Sequence, residues 1–310
     1  MKTETKLVWP ENRRFAFTIF DDPDGQSLEQ SRIVYSFLAD LGFRTTKGMW
    51  LVDPPESNSG GVTCAEPENL QWSQALQRQG FELGYHNGAP GNLDRAGVIA
   101  SLDDFRRHFG TDPATMANHY NQDAMYWGPA RFSTAARYLY LAATCGRTRN
   151  QHSGHLPSSP HFWGDVCQQR IRYCRNFVYN GIDTLASCPF QPYHDPQRPF
   201  VNYWYTSTDG TNCRQFTNAI REENQDLLER QGSACIMYTH FGHGFFDDGQ
   251  LNPEFKRLMQ RLAAKNGWFV PVAQLLDFLR ERNGHHVISS AQRSSLERRW
   301  MAEKLFKGTT

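Results

Sequence analysis

Phe15-Ala16-Phe17-Thr18-Ile19-Phe20-Asp21-Asp22-Pro23-Asp24-Gly25 passes from six strand-forming residues straight into three carboxylates within four positions. The apolar run reads as a buried strand, and the acidic group stands at its tip. Ionised side chains packed this closely repel one another, and each loses hydration if the strand end is enclosed. A bound cation, or a proton held between neighbours, relieves both costs. A solvated acidic turn is the alternative, because Asp-Pro-Asp-Gly is good turn chemistry.

Working outward, the segments alternate between short strands and capped helices. Ser27 and Gln30 form a capping box for a helix that carries Val34, Phe37, Leu38 and Leu41 on one face and stops at Gly42. Phe43 to Leu51 reads as a second strand, followed by a Pro/Ser/Gly-rich loop. A helix from Pro67 to Gln79 leads to a third strand, Phe81 to Tyr85, which ends at His86. Asp94 to Phe109 is helical, and a strand over Ala114 to Asn118 ends at His119. Asn121 to Gly210 shows no clear period. Regularity returns with a helix over Asn218 to Gln231 and a strand, Ala234 to Tyr238, that runs into His240. A helix opened by Asn252-Pro253, a short strand Trp268 to Val270 and a helix closing at Gly284 complete the series.

Such alternation implies a parallel sheet, and this many units predict an α/β fold of the (β/α) barrel kind, distorted and with seven or eight strands. The expected organisation is a barrel over residues 1–284 and a polar helical tail over 285–310, with Leu296, Trp300 and Leu305 facing the barrel or serving as an oligomerisation arm. In such barrels chemistry sits at the C-terminal strand ends. Asp21, Asp22, His86, His119 and His240 all fall there. One Asp with two or three His suits a catalytic zinc site, which takes N and O ligands and leaves a position open. No glycine-rich dinucleotide or phosphate loop follows any strand, which argues against a Rossmann oxidoreductase.

The bulk properties agree with a globular enzyme. Among 310 residues, 33 Lys and Arg meet 32 Asp and Glu, so the net charge of +1 offers nothing to a nucleic acid. The first ten residues lack the apolar core of a secretory signal, and no run is long enough to span a bilayer. The seven cysteines are odd in number and lack CxxC spacing, which predicts reduced, mostly buried thiols and a cytoplasmic setting.

These residues resemble the polysaccharide deacetylases, the NodB-like carbohydrate esterases. Thr18-Ile19-Phe20-Asp21-Asp22 is similar to the family's first motif, whose first Asp is a general base and whose second binds the metal. The resemblance therefore implies Asp21 as base and Asp22 as ligand. Gly84-Tyr85-His86 resembles the start of the second motif and implies His86 as a ligand. Gly232 to His240 resembles the last motif and implies His240 as general acid. Pro90 stands where the family places its second metal His, so His119 or Asp24 has to supply the third ligand. The family's base-orienting Arg is not recognisable; Arg131 and Arg147 are candidates, and Asp209 is a candidate for the fourth motif. Trp127, Arg131, His243 and Asp24 are the expected substrate contacts. The resemblance implies a zinc-dependent hydrolase that takes an N-acetyl group from an amino sugar in bacterial surface-polysaccharide assembly. A metal-free carbohydrate-binding relative and an amidohydrolase for a non-sugar C–N bond are the alternatives.

Overall fold

Alternate residues of the first strand face different layers, and this period of two sets the architecture. In the computed structural model, which describes residues 7–146 and 151–307, Phe15, Phe17 and Ile19 pack outward with Val34 and Leu38 of the following helix. Ala16 and Phe20 point the other way and share a core with Ala117, Tyr173, Tyr205 and Ile236. The strand is buried on both faces, as a parallel barrel strand must be.

Seven parallel strands close on themselves: β1 (Phe15–Asp21), β2 (Thr46–Trp50), β3 (Glu82–Gly88), β4 (Thr115–Met116), β5 (Tyr173–Tyr179), β6 (Tyr203–Asp209) and β7 (Ala234–Thr239). Neighbours pair in chain order, and β7 returns to β1 in register from Ala16 opposite Ala234 to Asp21 opposite Thr239. Helices Leu28–Asp40, Pro67–Arg78 and Arg95–Phe109 cross between the first strands. The structure is thus a seven-stranded (β/α) barrel, at the lower of the two expected strand numbers.

Differences from the sequence expectation have local causes. The helix expected over Asn218 to Gln231 is two, Cys213–Ala219 and Glu222–Gln231. Gly267–Trp268 pairs parallel with Phe15 and Ala16 beside the ring and does not close it. Trp268 instead meets Trp9 and Phe278 in an aromatic plug at the N-terminal end of the barrel. The aperiodic middle holds β5 and β6, whose aromatic residues are buried on both faces and so show no alternation.

Helix Ser290–Lys307 lies alongside β5. Tyr179 donates to the Leu296 carbonyl at 2.9 Å, Glu303 accepts from the Asn180 N–H at 2.6 Å, and Lys304 reaches Asp209 at 3.1 Å. Leu296 and Trp300 are buried; the side chain of Leu305 falls outside the described residues. No described helix is long and apolar enough to cross a membrane. All seven cysteines are free thiols, and six of them are buried.

Glu82 ties the N-terminal end of the barrel together. Its carboxylate accepts from the Thr46 hydroxyl at 2.6 Å, the Thr115 hydroxyl at 2.7 Å and the Ala273 N–H at 2.9 Å, so one side chain joins β2, β3, β4 and the N-terminus of helix Val272–Asn283. Glu82→Ala should cost about 2–4 kcal/mol in chemical denaturation, because it strands enclosed donors. A loss below about 1 kcal/mol would show that this carboxylate does not brace the barrel.

Candidate metal centre and cavity

The period of two also separates the carboxylates of the acidic tip. Asp21 continues the outward series and Asp22 the inward one. Asp21 is fully buried. It accepts from Gln26 Nε2 at 2.5 Å, the Tyr35 hydroxyl at 3.0 Å and the Phe241 N–H at 3.0 Å, with Lys47 Nζ at 3.3 Å. Burial raises its pKa, against the pull of Lys47 and the hydrogen bonds from Phe241 and Tyr35. Asp21 therefore stitches the tip of β1 to the first helix and to the loop after β7, and it does not line the cavity at the barrel mouth.

Asp22 does line that cavity, and Arg175 holds it by two parallel bonds of 2.9 and 2.5 Å. Arg175 is a lone cation in the aromatic run of β5, covered by the Tyr238 ring at 4.2 Å. Burial works against the guanidinium charge, yet Asp22 raises its pKa above the ordinary value.

Asp24 is the carboxylate among the histidines. Its two oxygens stand 3.3 Å from His86 Nε2 and 3.1 Å from His119 Nδ1, and Oδ2 lies 3.6 Å from His240 Nε2. Its loop passes close beneath the one after β7. A Cβ on Gly242 would come within 2.5 Å of the Gly25 backbone, so glycine is what lets the two loops touch.

The hydrogen-bond chain behind His119 fixes which of its nitrogens carries the proton. Asn121 donates its amide to the carbonyls of Ala89 and Gly91, at 3.1 and 2.7 Å, so its oxygen faces Asn58. Asn58 donates to that oxygen at 3.1 Å, so the Asn58 oxygen faces His119 Nε2 at 3.0 Å. Nε2 must then carry a hydrogen, and neutral His119 presents a bare Nδ1 lone pair to an Asp24 oxygen 3.1 Å away. Two acceptors face each other. Both nitrogens of buried His86 and Oδ2 of Asp24 also lack hydrogen-bond partners. Something positive belongs between these three side chains, and it is either protons or a metal cation.

The donor set fits a divalent metal. Facing atoms of Asp24, His86 and His119 lie within 4.8 Å of one another. Zinc bonds of about 2.0–2.1 Å in a tetrahedral array space the donors roughly 3.3 Å apart. Asp24 meets both imidazoles at close to that spacing. His240 stands on the opposite side with its Nδ1 2.9 Å from the Thr211 carbonyl. A carbonyl only accepts, so Nδ1 keeps its hydrogen and Nε2, facing the cavity, is the atom that gains or loses a proton.

Trp127 and Arg131 line the same cavity, whose volume is about 230 Å³. His243 packs beside His240, with ring centroids 4.9 Å apart, but opens onto a separate depression with Asn212 and Asn252. Asp209, at the end of β6, pairs with Lys304. Arg147 lies outside the described residues. His152, His161 and His194 each have Nδ1 against a backbone carbonyl, as structural histidines do. Arg175, Asn58 and Trp300 were not among the sequence candidates. The signal for Arg175 was present: a single charge inside Tyr173-Cys174-Arg175-Asn176-Phe177-Val178-Tyr179 needs a buried partner.

The (β/α) barrel fold is shared with a solved structure assigned as a polysaccharide deacetylase. A protein from Mycobacterium smegmatis assigned as a polysaccharide deacetylase superposes with a TM-score of 0.52 at 12% identity, over 92% of this chain and 96% of its own. A Bordetella bronchiseptica protein, assigned as a polysaccharide deacetylase involved in O-antigen biosynthesis, covers 94% of this chain and 93% of its own at 15% identity, with a TM-score of 0.37. The first match bears on the fold alone, and the second adds nothing to it. No protein-family model and no curated protein sequence matches the chain.

A buried acid behind the site gives a pH signature. Asp123 accepts from Asn87 Nδ2 at 2.7 Å and the Leu93 N–H at 3.3 Å, and Asn87 Oδ1 takes the His119 N–H at 2.7 Å. Burial pushes the Asp123 carboxyl up from 3.8 to about 6, with the Asn87 and Leu93 bonds opposing. Between those two values the folded protein holds a proton that the unfolded chain has released. The contribution of Asp123 to stability therefore declines as pH rises from about 4 to about 6, then levels off. The stability difference between wild type and Asp123→Asn, measured across that window, should shift in the direction that penalises wild type as pH rises. A pH-independent difference would contradict the assignment.

Proposed function

We propose that the chain is a metal-dependent hydrolase that removes an N-acyl group, acetyl in the simplest case, from an amino sugar. The observation that carries the reading is the mutually facing set of Asp24, His86 and His119, in which Asp24 Oδ2 and both His86 nitrogens have no hydrogen-bond partner, beside the Asp22–Arg175 pair. The barrel fold, shared with the Mycobacterium smegmatis protein, is compatible with it. A precursor sugar suits the small cavity better than a finished polymer; its 230 Å³ falls below the roughly 300–1,000 Å³ of most small-molecule sites. The proposed setting is cytoplasmic assembly of a bacterial surface polysaccharide.

In this reading Asp24, His86 and His119 hold the cation, zinc being the best match to two imidazoles and a carboxylate. Such a cation, when bound, polarises an acyl oxygen and makes water more acidic. The reaction adds water across the amide: a C–O bond forms, the C–N bond breaks, and acetate and an amine result. Asp22 takes the proton from the attacking water. Arg175 keeps its carboxylate aimed into the cavity, leaving lone pairs on both oxygens free to accept. His240, protonated at Nε2, gives a proton to the departing nitrogen, and the Thr211 carbonyl holds the ring in the orientation that allows it. The proposal thus moves the base from Asp21 to Asp22 and the carboxylate ligand from Asp22 to Asp24. The reason is that Asp21 is enclosed by four partners, while both Asp22 oxygens are engaged by a guanidinium.

Metal analysis tests the reading directly. Purified protein should hold close to one equivalent of a divalent metal and release acetate from N-acetyl amino sugars, and His86→Ala should lose both. Metal below about a tenth of an equivalent, with no acetate released, would leave a metal-free carbohydrate-binding protein as the better description. Acetate released from small amides but not from sugars would point to an amidohydrolase.

The division of labour has its own test. Asp22→Asn should keep the metal while lowering turnover about 10²- to 10⁴-fold, the usual contribution of a general base. Asp24→Asn should lose the metal. The reverse pattern would restore Asp22 as the ligand.

A further inference from the structure

The charges lining the cavity are matched except for one. Asp22 is paired with Arg175, Asp24 faces His86, His119 and His240, and Lys304 is paired with Asp209. Arg131 remains. Its side chain is 93% buried (7% exposed), and no carboxylate or hydrogen-bond acceptor meets its guanidinium among the described residues; Nε is enclosed and unbonded. What surrounds it is aromatic. The guanidinium carbon lies 3.6 Å from the Trp127 ring centroid, 5.4 Å from that of Trp300 and 5.9 Å from that of Phe177. Ring faces attract a cation but supply no counter-charge. Burial lowers the Arg131 pKa to about 10, still far above neutrality, so the group is charged when the protein works.

A buried, uncompensated charge is expensive, and proteins rarely keep one without a counter-ion. The guanidinium lines the cavity it shares with Asp22, Asp24 and the histidines. The rings of Trp127 and Trp300 hold its plane in place, which pre-organises the donor fork for a planar or tetrahedral oxyanion. Trp300 comes from helix Ser290–Lys307, so the C-terminal segment helps to build this end of the cavity.

We propose that Arg131 is an anion-binding subsite, and that the substrate is an N-acylated amino sugar bearing a negative charge, as a sugar carboxylate or as a phosphate ester. The inference rests on the deacetylase reading for the acyl group and on Arg131 alone for the anion. The anion enters against Trp127 and Trp300, and the acyl group is then directed to the opposite end of the cavity, toward Asp22 and His240.

Equilibrium binding to the metal-loaded full-length protein separates these elements. The probes are N-acetylglucosamine, its 6-phosphate and its 6-carboxylate (the uronic acid), with acetate release followed in parallel. At least one charged probe should bind about tenfold or more tightly than the neutral sugar, as one charge-assisted contact provides. Whichever charged probe leads identifies the anion. Arg131→Met should bring the charged and neutral affinities together, and Arg131→Lys should keep part of the difference. If Arg131→Met does not fold, the wild-type ratio and the Arg131→Lys series decide. Equal affinities for charged and neutral probes, no binding of any probe, or selectivity that survives Arg131→Met would overturn the inference. Selectivity without acetate release would uphold the subsite and sink the hydrolase reading; acetate release without selectivity would do the opposite.

Discussion

Three carboxylates within four residues at the end of one strand, two of them buried and the third partly so, form a concentration of negative charge that the barrel has to answer. It answers with basic side chains from around the ring. Lys47 of β2 meets Asp21, Arg175 of β5 meets Asp22, and His86 of β3 with His119 after β4 meet Asp24. His240, after β7, closes the circle. Because each partner rides on a different strand, matching the charge also fixes how the strand ends converge. Electrostatics and barrel closure are here one constraint.

The constraint is one of specificity more than of stability. A buried ion pair gains in attraction about what it loses in hydration, so hydrophobic replacements of the same shape can be neutral or better. Removing one partner alone is different, because it leaves the other charge buried and unmatched, at a typical cost of about 3–5 kcal/mol. The Asp22–Arg175 pair therefore resists piecemeal change, and so does Asp21 with its four partners. The Asp24 cluster differs in kind. Its neighbours are imidazoles, which carry charge only when protonated, and His119 is locked by Asn58 and Asn121 into presenting a lone pair. That is a poor way to satisfy a carboxylate and a good way to build a ligand set.

Much of this was legible in the sequence, for identifiable reasons. The barrel class followed from short buried strands alternating with capped amphipathic helices, most clearly Ser27 to Leu41 and Asn252 to Leu262. Strand ends at Asp21, His86, His119 and His240 followed from where apolar runs stop. β5 and β6 did not show, because strands rich in Tyr, Trp and Phe and buried on both faces carry no alternation to read. Arg175 went unseen for the same reason. The separation of Asp21 from Asp22 was implicit in the period of two, since Ile19 and Phe20 face different cores. Which face was the lumen required the closed ring. The role of Asp24 depended on rotamers and on a loop crossing at Gly25 and Gly242, which sequence spacing does not encode.

A cavity that holds matched charges and one unmatched cation is electrically asymmetric, and that asymmetry has a chemical use. An amino sugar presents several hydroxyls of similar character. Recognition by those groups alone would admit many orientations. A fixed cation held among the aromatic rings of Trp127 and Trp300 gives an anion one defined place in the cavity. Orientation then arises from attraction at Arg131, with Trp300 linking the C-terminal helix to the geometry of the site.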